Sequence, residues 1–87
     1  MKLLLVEDDD IFASFVEWIV EPDEVVRATS LAMALELLAA EHGLDAILLD
    51  LKLGDSAGLE TFLAARAATD LPILAMSAWT EIGRAHV

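Results

Sequence analysis

The feature that most constrains this chain is a repeated alternation. Short unbroken apolar runs are each followed by a longer stretch with apolar residues at helical spacing. Leu3-Leu4-Leu5-Val6 has no polar interruption, the pattern of a strand buried on both faces. Ile11, Phe12, Phe15, Val16 and Ile19 follow at helical spacing and predict one apolar stripe, and Pro22 ends that helix. Glu24 to Ala28, rich in valine, predicts a second strand. Ser30 is placed to cap a second helix carrying Leu31, Leu35 and Leu38 on one face. His42-Gly43 ends it, glycine suiting the left-handed position beyond a helix. Leu44 to Leu49 is a third buried-strand run that stops at Asp50. Lys52 to Gly58 reads as a loop holding two glycines, and Leu59, Phe62 and Leu63 mark a third helix rich in alanine. Leu71 to Met76 predicts a fourth strand. The order β-α-β-α-β-α-β implies an α/β fold, a doubly wound parallel sheet with helices on both faces and right-handed crossovers. With no repeat, low-complexity segment or linker, it is one domain or part of one.

Charge narrows the partners. The 87 residues hold 5 Lys plus Arg against 16 Asp plus Glu, a formal charge of −11. Phosphate contacts need Lys and Arg, so direct nucleic-acid binding is not expected, nor is docking on an anionic membrane. Disorder is excluded because 57% of residues are hydrophobic. Without cysteine there are no disulfides or thiolate metal sites. No apolar run approaches the ~20 residues of a spanning helix, and the first apolar run is too short for a secretory signal. A cytoplasmic location is the expectation. The last seven residues, 81–87, fit nothing before them. Back-translated, they resemble a sequencing-library adapter read in frame, so they are expected to be a non-native tail with native sequence ending near Thr80.

Acids cluster where strands end. Glu7, Asp8, Asp9 and Asp10 follow the first strand and Asp50 closes the third. Open parallel sheets bind ligands beyond the carboxyl ends of their strands, where strand order reverses. If the first and third strands are neighbours, Glu7, Asp8 and Asp50 converge. Two carboxylates ~5 Å apart repel by about 3 kcal/mol at an effective dielectric near 20, and a third calls for a cation. Few, hard oxygen ligands suit Mg²⁺. Asp9 and Asp10 read more simply as helix-start acids.

Three segments carry a resemblance. Leu3-Leu4-Leu5-Val6-Glu7-Asp8-Asp9 resembles the opening of response-regulator receiver domains of two-component signalling. The run from Ala46 to Gly58 is similar to the segment around their phosphoacceptor aspartate. Pro72-Ile73-Leu74-Ala75-Met76-Ser77-Ala78 is similar to their fourth strand with its hydroxyl residue and alanine. The three stand in the family's order and at family-like separations. The resemblance implies a flavodoxin-like sheet with strands ordered 2-1-3-4, here incomplete at about four strands and three helices, as a partial receiver domain over residues 1–80. It implies that Asp50 accepts a phosphoryl group from a sensor histidine kinase or phosphotransfer protein. It further implies Mg²⁺ on Glu7, Asp8, Asp50 and the backbone carbonyl of Lys52. Ser77 would bond the phosphoryl oxygens and Ala78 would leave room for them. A C-terminal effector domain is a possible further partner. The protein is then a signalling module and no enzyme beyond phosphoryl transfer to its own Asp50.

The chain departs from the family pattern in places. Gly54 stands where proline is common, and Ser77 replaces the commoner threonine. The family's fifth-strand lysine has no counterpart, since Lys2 and Lys52 are the only lysines, so this stretch by itself is not expected to be fully competent. Other readings compete. A phosphatase with a strand-end aspartate nucleophile wants a second Asp two positions on, where Lys52 stands. A nucleotide binder wants a Gly-rich loop after the first strand, which is missing. A pseudo-receiver acting as a phosphorylation-independent interaction domain remains the alternative. His42 reads as a surface residue, Trp18 as partial core, Met33 and Met76 as core filler, the Lys52 side chain as exposed, and Glu17, Glu36 and Glu60 as solvated.

Overall fold

The computed structural model describes residues 1–76. Ser77, Ala78 and the tail 81–87 lie outside the described residues. The elements are β1 (Lys2–Val6), α1 (Asp10–Ile19), β2 (Glu24–Ala28), α2 (Leu31–Ala40), β3 (Ala46–Leu49), β4 (Lys52–Leu53), β5 (Ser56–Ala57), α3 (Leu59–Ala68) and β6 (Ile73–Ala75). A four-stranded sheet runs β2-β1-β3-β6 with every pair parallel. Counting β6 as its fourth strand, this is the expected 2-1-3-4 order. The Lys52–Gly58 segment differs from the expected loop. Lys52 pairs with Ala57 and Leu53 with Ser56 in a small antiparallel hairpin, β4–β5. Leu53 is buried in the core, so the segment is held by packing and does not run free over the surface.

Alternation along the strands sends side chains to two layers. Leu4, Val6, Ala28, Ile47 and Leu49 form one cluster with Ala34 of α2, Ala65 of α3 and Leu53. Leu5 on the other face meets Ala13 and Val16 of α1, with Val25, Leu48 and Met76 packed around them. Leu3 to Val6 are all buried, as the unbroken run required. Asp9 caps α1, accepting from the amides of Ile11 at 2.9 Å and Phe12 at 3.1 Å. Ser30 caps α2 through the Met33 amide at 3.1 Å. Gly43 follows α2 with φ +80°, and Gly58 opens α3 with φ +66°, both in the region that a Cβ disfavours.

Two helix faces differ from the reading by periodicity. On α1 only Ala13 and Val16 are buried, whereas Ile11 is 85% and Trp18 69% exposed. Phe15 and Trp18 lean on each other, ring centroids 6.3 Å apart, on the solvent side. Trp18 is therefore not partial core. Ala13 and Val16 carry the contact of α1 with Leu5, and the larger residues of the stripe stand outside it. On α3 the buried residues are Thr61 and Ala65, while Leu59 and Leu63 are exposed. Met33 is likewise exposed, while Met76 packs against the α1 cluster as expected.

Candidate functional site

The sheet register brings the strand-end acids together. Val6 of β1 lies opposite Leu49 of β3, so the next residues, Glu7 and Asp50, leave the sheet side by side. The Asp50 amide donates to the Val6 carbonyl at 3.0 Å, and the Glu7 amide donates to the Ala28 carbonyl at 2.9 Å. These ladder bonds hold both backbones in strand register past the last sheet residue. β1 has β2 on one side and β3 on the other, so the acids sit where strand order reverses.

Glu7, Asp8 and Asp50 each present a carboxylate oxygen, and these oxygens lie within 4.8 Å of one another. Glu7 is buried, Asp50 half-buried and Asp8 exposed. Burial pushes the Glu7 carboxyl up to about 8, reinforced by its hydrogen bond with Asp50 and by the charges of Asp50, Asp8 and Asp9. Near neutral pH Glu7 therefore holds its proton and is the donor in that bond. Asp50 Oδ1 accepts the Lys52 amide at 2.9 Å, which folds the chain back into the β4–β5 hairpin. The Lys52 side chain is exposed, as expected.

Arg27 was not singled out in the sequence. Its Nε and Nη2 donate to the Glu7 carbonyl at 3.2 and 2.9 Å, and its Nη1 pairs with Asp10 at 2.7 Å. The arginine thus steadies the backbone of Glu7 and ties β2 to the start of α1. Asp55 was also missed as a structural element; it reaches from the hairpin to α2. No local signal marks either residue, because each acts on a segment distant in sequence. Asp9 and Asp10 belong to the helix start, as their position suggested. The arrangement offers an oriented carboxylate, Asp50, beside a small set of hard oxygen donors, open to solvent on the Asp8 side. Among the described residues no helix is long and apolar enough to cross a membrane.

Comparison with known proteins agrees with this geometry. The family model for the response regulator receiver domain matches residues 3–86. Among solved structures, the N-terminal domain of a response regulator/sensory box/GGDEF 3-domain protein from Carboxydothermus hydrogenoformans is 29% identical, with TM-score 0.75, over 86% of this chain and 62% of that one. The non-phosphorylated HemR receiver domain from Leptospira biflexa is 30% identical, with TM-score 0.69, over 85% of this chain and 61% of that one. The MaeR response regulator bound to beryllium trifluoride is 26% identical, with TM-score 0.68, over 87% of this chain and 66% of that one. The chain thus spans less than two thirds of the length of these relatives. No curated protein matches. With the strand order, the acid cluster and the family match in agreement, the chain belongs to the response regulator receiver domain family.

Proposed function

We propose that this receiver domain takes a phosphoryl group onto Asp50 from a phosphohistidine of a sensor histidine kinase or phosphotransfer protein. Glu7, Asp8, Asp50 and the backbone carbonyl of Lys52 would hold Mg²⁺. The observation that carries the reading is the meeting of three carboxylates from two strand ends within 4.8 Å. The residues fit such an ion: all donors are hard oxygens, and the proton that Glu7 keeps to about pH 8 stands where a cation would otherwise balance the cluster. When bound, Mg²⁺ supplies neutralisation of the phosphoryl charge. A carboxylate oxygen of Asp50 would attack the phosphorus, the P–N bond would break, and the imidazole would leave with the electron pair and take up a proton. The Lys52 amide on Oδ1 orients that carboxylate. Beryllium trifluoride, held by the related MaeR regulator, has the shape and charge of a phosphoryl group, which supports the same chemistry here. Ser77 and Ala78 keep their proposed roles at the phosphoryl oxygens from the family likeness alone. The same reading places the domain in the cytoplasm, between a sensor kinase and an effector domain.

The test is intact mass after incubation of the 87-residue chain with Mg²⁺ and acetyl phosphate. One phosphate adduct is expected, slow to form because Lys2 and Lys52 are the only lysines, and lost in Asp50→Asn and with chelator. No adduct overturns the proposal in favour of a phosphorylation-independent interaction domain. The exposed apolar side of α1, with Phe15 and Trp18, would then be its natural contact surface.

A further inference from the structure

The hairpin that follows the acid site is tied to a helix distant in sequence. Asp55 stands at the β4–β5 turn. Its Oδ1 accepts the Leu31 amide at 2.9 Å and its Oδ2 accepts the Ala32 amide at 3.0 Å. These are the first two amides of α2, and Ser30 takes the third, that of Met33. The first amides of a helix have no partner within it. A carboxylate there gains both charge-assisted bonds and the favourable end of the helix dipole. The bond from Ala32, then that from Leu31, holds the Asp55 carboxyl below its ordinary range. Capping is ordinarily local, supplied by the residue just before the helix, and α2 already has Ser30 in that place. A second cap from 24 residues away along the chain adds something else: it fixes the hairpin.

The other anchors of the hairpin lie elsewhere. Leu53 is buried in the core. Ser56 Oγ and Thr61 Oγ1 share a hydrogen bond of 2.6 Å, and Thr61 is fully buried on α3. The Gly58 amide closes the base on the Leu51 carbonyl at 2.6 Å. Lys52 sits on the strand between the turn and Asp50, with its amide on Asp50 Oδ1. A tilt of the turn away from α2 would carry Lys52 with it and misplace its amide on Asp50.

We infer that Asp55 is a positioning residue for the acid site: its two bonds to α2 hold the β4–β5 hairpin so that Lys52 keeps its amide on Asp50 and, under the function proposed above, its carbonyl available to the ion. The consequence for Mg²⁺ rests on the function proposed above, whereas the consequence for the hairpin does not. Three variants, Asp55→Ala, Asp55→Asn and Ser30→Ala, are compared with the unsubstituted 87-residue chain below their unfolding transitions. Calorimetric titration reads Mg²⁺ affinity, and amide hydrogen exchange without metal reads protection at Lys52 and Gly58. Asp55→Ala is expected to weaken Mg²⁺ binding by about tenfold, the usual effect of losing a group that supports metal ligands, and to speed exchange at both amides. Ser30→Ala removes the other cap of the same helix. It is expected to lower the unfolding midpoint and leave both readouts unchanged. Asp55→Asn, with one oxygen left to accept, should lie between, and it carries the comparison if the alanine variant does not fold. Unchanged affinity and exchange in the Asp55 variants overturn the inference. So does an equal effect of Ser30→Ala, because helix stability alone would then explain it. If the unsubstituted chain binds no Mg²⁺, the proposed function fails, and exchange at Lys52 and Gly58 still decides the role of Asp55.

Discussion

Replacing Glu7 by glutamine should stabilise the metal-free protein at pH 8 and leave its stability at pH 5 nearly unchanged. Glu7 is 5% exposed, and its carboxyl is pushed from an ordinary 4.5 to about 8, first by burial and then by the hydrogen bond with Asp50 and the charges of Asp50, Asp8 and Asp9. The unfolded chain gives up this proton near 4.5, while the folded chain keeps it to about 8. Between those values the unfolded state binds fewer protons, so stability falls as pH rises. The gap between the two values sets a ceiling of about 5 kcal/mol, at about 1.4 kcal/mol for each tenfold in proton affinity. The cluster opens to solvent at Asp8, and water and salt screen part of the repulsion, so roughly 2–3 kcal/mol is expected at pH 8. Glutamine cannot ionise, and its amide can donate to Asp50 as the protonated acid does. The assay is urea unfolding followed by circular dichroism from pH 5 to 8.5, with chelator and low salt. The difference between the two proteins isolates Glu7 from every other titrating group. Parallel stability curves for Glu7→Gln and the unsubstituted chain would refute the reasoning.

Other predictions address neighbouring parts of the structure. Mg²⁺ should displace the Glu7 proton, so its affinity should rise between pH 6 and 8, with proton release seen by calorimetry in buffers of different ionisation enthalpy; pH-independent affinity would count against Glu7 as a ligand. Asp9→Ala removes the carboxylate that accepts from Ile11 and Phe12 and should cost about 1 kcal/mol in urea unfolding, without changing Asp50 phosphorylation. Leu74 is 62% exposed on β6, which among the described residues pairs only with β3. Leu74→Lys should therefore change stability by no more than about 0.5 kcal/mol in the same urea assay; a loss of several kcal/mol would refute the exposed placement of that side chain. Leu4→Ala, at a position with no exposure, should cost about 2–5 kcal/mol in the same unfolding assay.

Much of the architecture was legible because the strands are unambiguous. Leu3 to Val6 and Ile47 to Leu49 are too apolar to sit anywhere but the centre of a two-faced sheet, and each stops at an acid. The central acid cluster followed once β1 and β3 were taken as neighbours, an adjacency that the family resemblance implied and the sheet register shows. The helices were legible as elements but not as surfaces. Periodicity located a stripe on α1, yet the sheet touches Ala13 and Val16, while Phe15 and Trp18 face outward. Helical spacing signals a preferred face, but where the helix sits on the sheet decides which of its residues make the contact, here Ala13 and Val16 against Leu5. The β4–β5 hairpin was hidden for a related reason. Two-residue strands carry no periodicity, and what holds them is the burial of Leu53 and bonds to α2 and α3.

By itself the sequence determined the layer order of this protein and which acids end which strands, because burial of continuous apolar runs and the right-handed crossover leave few alternatives. Only the tertiary structure decided the ionisation of Glu7, the use of Arg27 on the Glu7 carbonyl, and the reach of Asp55 to α2. Each of these depends on distances between segments far apart along the chain. Coulombic and hydrogen-bond energies fall steeply over a few ångströms, so the folded packing, and no local pattern of residues, determines them.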